Sequence, residues 1–225
     1  YLSAPLVVAD LEAVRTNFTT DPEFATLILP DGTLDYLHAA LHMSDTKRFV
    51  LLSGLSGTGK TSLARAYARA YCATLDIPFK QHFHLEPVWP DWTDPTGILG
   101  YLNPLSDPPT FQETKTLRFL LEANQQGDKL YFLCLDEMNL ARVEHYFAPF
   151  LSAMEDPSGY LHLHAGSDIA ENIPAKVPWP KNLFIFGTVN MDETTHPFSD
   201  KVLDRAFTFE FWDVDLDGWR EKKVA

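Results

Sequence analysis

The chain has 225 residues, of which 45% are hydrophobic and 22% charged, and its formal net charge is -13. This composition is typical of a globular protein with one large domain or two small ones, and no run of about 18 apolar residues predicts a membrane span. The acidic balance argues against direct nucleic-acid binding, which needs clustered Lys and Arg. The N-terminus lacks both an initiating Met and the pattern of a signal peptide, so we expect a cytoplasmic piece of a longer protein.

The first 45 residues are predicted to form an N-terminal helical segment, because apolar residues recur at helical spacing in LEAVRTNF and LDYLHAALHM. Residues 46–225 are predicted to form a second unit in which strands and helices alternate. The predicted strands are RFVLLS, HFHLEPV, LYFLCL, NLFIFGTV and AFTFEFW, with helices in SLARAYARAYCATL and ETKTLRFLLEANQQG. This alternation predicts an α/β fold.

Three interruptions complete the predicted architecture. Five prolines and two glycines in residues 90–109 predict a long loop. Pro149 is expected to break its helix near residues 145–148. The segment GYLHLHAG, residues 159–166, alternates apolar and polar residues and predicts a β-hairpin insertion before the NLFIFGTV strand.

The stretch GLSGTGKT follows an apolar strand and precedes a helix, and it fits the pattern G-x-x-x-x-G-K-[ST]. Glycines let backbone N–H groups turn toward an anion, and a helix N-terminus favours negative charge. Lys60 would contact the terminal phosphates of a nucleotide, and the Thr61 hydroxyl would ligate Mg²⁺. The predicted nucleotide-binding residues are Gly54, Leu55, Ser56, Gly57, Thr58, Gly59, Lys60, Thr61 and Ser62. The alternative is a chance glycine-rich turn.

Two acidic residues, Asp136 and Glu137, follow the apolar run LYFLCL. Carboxylates at the carboxyl end of a buried strand face the ligand crevice of an open α/β sheet. Asp136 is therefore a candidate Mg²⁺ ligand, and Glu137 is a candidate general base that activates water. The alternative is a solvated acidic helix cap.

Two further polar residues follow later strands or helices. Asn190 comes directly after the NLFIFGTV strand and could reach the γ-phosphate or the attacking water, or it could be an ordinary turn residue. Arg205 lies between a short amphipathic helix and the last strand. It could form a surface ion pair, or it could reach the nucleotide of a neighbouring subunit.

The remaining reactive side chains are predicted to be structural. The pairs His38/His42, His82/His84 and His162/His164 have spacings that suit a metal, but no Cys or Asp completes a ligand set, so solvated histidines are expected. The two cysteines, Cys72 and Cys134, are predicted to be buried thiols rather than a disulfide.

Taken in order, four motifs resemble an AAA+ ATPase module of the dynein-related and McrB-like branch. They are GLSGTGKT, LCLDEMNLARVEHYF, FIFGTVNMDETTH and FSDKVLDRAF, and with their spacers they cover roughly residues 35–212. The resemblance implies a P-loop NTPase fold whose five-stranded parallel sheet has the order 5-1-4-3-2, flanked by helices. It also implies a ring with nucleotide at subunit interfaces, Asn190 as a sensor, Arg205 as a trans-acting finger and the hairpin as a pore or partner element.

The chain departs from this pattern in three places. Val189 stands where McrB-type sensors carry Met, and Glu193 stands in the acidic position that is usually Asp. We expect the helical lid that follows the last strand in such modules to be absent from this sequence, either by truncation or because it lies outside this chain, and an effector domain to be absent likewise. A protein effector or nuclease subunit would then lie outside the sequence.

The sequence therefore predicts a Mg²⁺-dependent nucleoside triphosphatase, with ATP favoured over GTP as substrate. One alternative is a GTP-specific motor of a McrB-like restriction system. A second is a nucleotide-controlled assembly scaffold with little turnover, and a third is a P-loop small-molecule kinase, which would not require the LDRAF motif.

Overall fold

The computed structural model describes residues 6–24, 27–44, 47–156, 159–164, 173–191 and 195–211. The first half of the chain contains α1 (Leu11–Thr20), α2 (Thr33–His42), β1 (Phe49–Gly54), α3 (Lys60–Thr74), α4 (Phe79–His82), β2 (Phe83–Pro87), α5 (Thr96–Leu99), β3 (Gly100–Asn103) and β4 (Thr110–Glu113). The second half contains α6 (Lys115–Gln125), β5 (Tyr131–Asp136), a 3-10 turn (Met138–Leu140), α7 (Val143–Tyr146), α8 (Ala148–Glu155), β6 (Tyr160–His162), β7 (Lys176–Pro178), β8 (Leu183–Asn190), α9 (Asp200–Leu203) and β9 (Phe207–Phe211). Among the described helices, none combines the length and apolar character that a membrane crossing needs.

Five of the strands form one sheet in the order β2-β5-β8-β1-β9, and every neighbouring pair is parallel. The predicted α/β class with a five-stranded parallel sheet is thereby confirmed. Counted along the chain, the five strands lie in the order 2-3-4-1-5. Because β5, β8 and β1 are neighbouring parallel strands, their carboxyl ends meet at the same edge of the sheet.

Alternate residues of each central strand pack into different cores, one on each face of the sheet. In β1, Phe49 and Leu51 contact the core that contains α6 and α8, whereas Val50 and Leu52 contact the core formed by α1, α2 and α3. This is the burial that a continuous apolar run predicts for a strand covered on both faces. The N-terminal helices thus share a core with α3, and the proposed division between residues 45 and 46 stays a prediction.

The prediction of an uninterrupted loop over residues 90–109 was wrong. The segment contains α5 and β3, and β3 pairs antiparallel with β4, so that Leu102 lies opposite Phe111. The prolines lie outside these elements or, like Pro95, immediately before one. Proline composition alone therefore hid a pairing between strands separated by the turn that follows Asn103.

Two other sequence predictions are confirmed. The helix break occurs at Phe147, between α7 and α8, and Pro149 lies in the first turn of α8, where its missing N–H is tolerated. Strand β6 pairs antiparallel with β7, and this pair forms a two-stranded sheet ahead of β8. Residues 165 and 166 of the predicted segment lie outside the described residues.

The expectation of solvated histidines was wrong for the helical ones. His82 is only 2% exposed, and its Nδ1 lies 2.7 Å from the backbone oxygen of Leu130. The Tyr71 hydroxyl lies 3.1 Å from His42 Nε2 and accepts a hydrogen bond from the Ala9 N–H. The His42 and Tyr71 side chains thereby join α2, and the segment before α1, to α3. Both cysteines are buried free thiols, as expected.

His42 makes the stability of the fold depend on pH. Burial, with the nearby His38 ring and Arg48 guanidinium, lowers the pKa of His42 from 6.5 to about 3. Between these values the unfolded chain binds the proton and the folded chain does not, so stability falls as pH drops below about 6.5. After a discount for partial exposure, we expect this residue to account for about 1 kcal/mol of the stability lost between pH 7 and pH 5.5.

Urea unfolding at the two pH values tests this dependence. The His42→Gln variant should be less stable at pH 7 but should lose less stability on acidification than the wild-type chain. His145→Gln is the matched control, because His145 is exposed on α7. An equal acid-induced loss in the wild-type and His42→Gln chains would contradict the assignment.

Candidate nucleotide-binding site

The phosphate-binding motif forms the turn that joins the end of β1 to the start of α3. A Cβ atom at Gly54 would overlap the carbonyl oxygen of Phe211 in β9, so only glycine fits there. Gly59 has φ = 84° and immediately precedes the helix, a conformation that glycine adopts without strain. The turn therefore aims the N-terminus of a 15-residue helix at the edge of the sheet.

Lys60 lies inside this turn with only 6% of its surface exposed. Its Nζ donates hydrogen bonds to the backbone oxygens of Gly54 at 3.1 Å and Leu55 at 2.5 Å. The Thr58 hydroxyl also donates to Leu55 O, at 2.9 Å, which closes the turn. A buried ammonium group that donates to carbonyl oxygens of the turn thus lies at the N-terminus of α3.

Thr61 and Asp136 meet across the edge of the sheet. The Thr61 hydroxyl in the first turn of α3 donates to Asp136 Oδ1 at 2.6 Å. Asp136 is the last residue of β5, which pairs with β8 up to Leu135 and Gly187. A hydroxyl oxygen and a carboxylate are thereby juxtaposed, and these are ligand types that Mg²⁺ prefers.

Glu137 and Asn190 form a second contact at the same edge. Asn190 Nδ2 donates to Glu137 Oε1 at 2.9 Å. Asn190 lies at the end of β8, between β5 and β1, and its backbone pairs in register with Gly54. Glu137 has φ = 53°, the left-handed conformation that a residue with a side chain rarely adopts. This conformation turns the chain out of β5 immediately after Asp136.

Sequence reasoning missed two polar residues that hold these groups together. The Thr188 side chain bonds to Asp136 Oδ1 at 2.7 Å and to the Glu137 backbone N–H at 2.9 Å. Asn139 Nδ2 donates to Asn190 O at 3.0 Å and to Thr195 Oγ1 at 2.6 Å. Both residues lie within quoted motifs, Asn139 in LCLDEMNLARVEHYF and Thr188 in FIFGTVNMDETTH, but a threonine within an apolar strand carried no signal of its own.

A cavity of about 310 Å³ lies between these groups. It is lined by Ser56, Gly57, Gly59, Lys60, Thr61, Ser62, Asp136, Glu137, Thr188 and Asn190. Three of the predicted nucleotide-binding residues, Gly54, Leu55 and Thr58, support the turn without lining the cavity. A larger groove of about 490 Å³ lies beside β2 and α6. Its lining contains neither a residue of the glycine-rich turn nor Asp136 or Glu137, so it lacks the groups that are predicted to bind a phosphate and its metal.

Arg205 lies apart from this cavity in the structure. Its Nε donates to Leu151 O at 3.2 Å, and its guanidinium forms an ion pair with Glu155, which like Leu151 belongs to α8. The Arg205 side chain is only 11% exposed, whereas that of Glu155 is 59% exposed. The ion pair therefore holds the arginine against its own chain. Glu193 and the segment after residue 211 lie outside the described residues.

The residues of the cavity fit a nucleotide phosphate and its magnesium ion. The turn presents one ammonium group and the amino end of α3, which suit an anion. Thr61 and Asp136 supply oxygen ligands. Among the described residues, no group of three or more His, Cys, Asp or Glu side chains offers another metal site.

The fold and the site together define a class: the chain resembles an AAA+ ATPase module of the McrB-like branch. No protein-family model matches it. It is 25% identical over 191 residues to the EcoKMcrB subunit of a type IV methyl-directed restriction enzyme from Escherichia coli strain K12, and the match covers 81% of this chain and 38% of that protein.

One solved structure is similar over nearly the whole chain. It is a candidate ATPase from Cytophaga hutchinsonii ATCC 33406, with a TM-score of 0.54 and 15% sequence identity over 95% of this chain and 54% of that one. At this identity the likeness concerns the fold. The chain thus spans 38% of its curated relative and about half of this structural neighbour.

Proposed function

We propose that the chain is a Mg²⁺-dependent nucleoside triphosphatase module, with ATP as the favoured substrate and GTP as the alternative. The observation that carries the proposal is the convergence of a phosphate-binding turn with Asp136, Glu137 and Asn190 at one sheet edge, with contacts of 2.6 and 2.9 Å. Such an arrangement suits attack of water on a γ-phosphate.

Each group has a distinct role in this proposal. Lys60 and the turn amides bind the phosphates, and Thr61 and Asp136 hold the metal. Bound Mg²⁺ supplies charge neutralisation at the phosphate oxygens. Glu137 accepts a proton from water as general base, and Asn190 orients either the Glu137 carboxylate or the water itself.

The site is proposed to be completed by a second copy of the chain, in a ring that acts with a protein effector in the cytoplasm. Arg205 would leave Glu155 and enter a neighbour's site, where its charge stabilises the transition state. The E. coli relative is itself named as a subunit of a restriction enzyme, which supports partner subunits here. The hairpin formed by β6 and β7 is proposed as a partner element.

The test is phosphate release with ATP and with GTP, measured side by side at several protein concentrations. A rate per chain that rises with protein concentration supports a shared site. If neither nucleotide is hydrolysed at any concentration although one of them binds, the chain is a nucleotide-controlled scaffold instead. Preference for GTP would assign the GTP-specific alternative.

Arg205→Ala is expected to lower phosphate release about 100-fold or more without weakening nucleotide binding to its own cradle. Mixing this variant with Lys60→Ala should restore hydrolysis, because the Arg205→Ala chain supplies an intact phosphate-binding turn and the Lys60→Ala chain supplies the arginine. Arg118→Ala is the control, since Arg118 also pairs with a glutamate but is 62% exposed on α6. If Arg205→Ala alone hydrolysed nucleotide at the wild-type rate, Arg205 would not act in the site of a neighbouring subunit.

A further inference from the structure

Thr188 occupies a central position among the proposed catalytic groups, although no role was assigned to it when the motif FIFGTVNMDETTH was described. It lies in β8, the middle strand of the five-stranded sheet, and is only 2% exposed. Its hydroxyl lies 2.7 Å from Asp136 Oδ1 and 2.9 Å from the Glu137 backbone nitrogen. One side chain therefore contacts both acidic residues at the carboxyl end of β5, Asp136 and Glu137.

The direction of both hydrogen bonds is fixed by the chemistry of the partners. An ionised carboxylate only accepts hydrogen bonds, and a backbone N–H only donates them. The Thr188 hydroxyl must therefore donate its hydrogen to Asp136 and accept from Glu137. Serine could replace both bonds, whereas valine has the same shape as threonine and could make neither.

These two bonds add to the contacts that hold the Asp136 carboxylate and the Glu137 backbone in place. Asp136 Oδ1 accepts hydrogen bonds from the hydroxyls of both Thr61 and Thr188. The carboxylate is thus held by one residue of helix α3 and one residue of strand β8. Glu137 is in the left-handed conformation at φ = 53°, which is strained for a residue with a side chain. The bond from its N–H to Thr188 secures this turn at the point where the chain leaves β5.

We propose that Thr188 is a positioning residue that sets the Asp136 carboxylate for Mg²⁺ and the Glu137 side chain for proton transfer. The inference rests on the proposed function for its chemistry, but its structural half does not require hydrolysis. A residue that only fills the core would tolerate valine, because valine matches the volume of threonine. A positioning residue tolerates serine instead.

The first experiment measures amide hydrogen exchange at Glu137 in the nucleotide-free chain. In Thr188→Val the Glu137 N–H should exchange at least about tenfold faster than in wild type, because its acceptor is gone. In Thr188→Ser it should remain protected. Equal exchange in wild type and Thr188→Val would overturn the proposal, whether or not the chain hydrolyses any nucleotide.

The second experiment titrates Mg²⁺ into the chain in the presence of a fluorescent ATP analogue and then measures phosphate release. For Thr188→Val we expect the half-saturating Mg²⁺ concentration to rise about tenfold and turnover to fall 10- to 100-fold, the effect of losing a group that orients a metal ligand. Thr188→Ser should stay within about threefold of wild type in both. Affinity for the analogue in EDTA should not change.

Thr208→Val is the matched control, because Thr208 lies in β9 of the same sheet with an exposed side chain. A Thr188→Val chain with wild-type Mg²⁺ dependence and turnover would overturn the inference and leave the proposed function intact. A wild-type chain that binds no nucleotide would overturn the proposed function, and the exchange measurement would still decide the structural role of Thr188.

Discussion

Replacing Glu137 with Gln is expected to lower phosphate release at least about 100-fold, because a general base contributes roughly this much to a rate. Glutamine keeps the size of the side chain and can still accept the hydrogen bond from Asn190 Nδ2, which measures 2.9 Å in the wild-type chain. Only the capacity to take a proton from water is lost. Nucleotide affinity should therefore change less than about threefold.

Phosphate release and binding of a fluorescent nucleotide, measured on the same preparation, separate these two effects. Glu122→Gln is the control, since Glu122 is exposed on α6 and does not line the 310 Å³ cavity. If Glu137→Gln turned over nucleotide at the wild-type rate, another group would have to be the base. A parallel loss of binding would instead indicate that Glu137 acts through the structure of the site.

Replacing Lys60 with Ala is expected to weaken nucleotide binding about 100-fold, since charge-assisted hydrogen bonds to phosphate are among the strong ones. The substitution also removes one donor from each of the backbone oxygens of Gly54 and Leu55, which keep the Met191 N–H and the Thr58 hydroxyl as donors. We therefore expect the free energy of unfolding to fall by about 1 kcal/mol.

Titration with a fluorescent nucleotide and urea unfolding of the nucleotide-free chain give the two quantities. Lys129→Ala is the control, because Lys129 is exposed and its ammonium group donates to the side-chain oxygen of Gln126 rather than to the turn. An affinity loss of less than about threefold in Lys60→Ala would contradict the assignment of the turn as a phosphate cradle.

The parts of the fold that sequence predicted are those determined by local pattern. Continuous apolar runs predicted β5 and β8, because a strand that is covered on both faces carries apolar residues at successive positions. The strand–turn–helix context predicted the glycine-rich turn between β1 and α3, and the acidic pair was predicted to lie at the end of a strand from its place after an apolar run. Pro149 marked its helix break because proline acts through its own backbone.

The parts that sequence could not supply depend on which strands become neighbours. Thr188 is a common β-branched strand residue, and its role appears only when β8 lies beside β5 in the observed register. His42 was expected in solvent because its helical spacing did not reveal that α3 would cover it. The pairing of β3 with β4 was likewise hidden by the prolines around it.

The contact between Gly54 and Phe211 gives the site a mechanical property. The last residue of β9 lies so close to the first residue of the phosphate-binding turn that even a methyl group would not fit between them. The adjacent strands β1 and β9 are also joined along their length by parallel pairing from Val50 to Gly54. Because close-packed atoms transmit displacement, a shift of Phe211 would move Gly54 and with it the start of the candidate phosphate-binding turn.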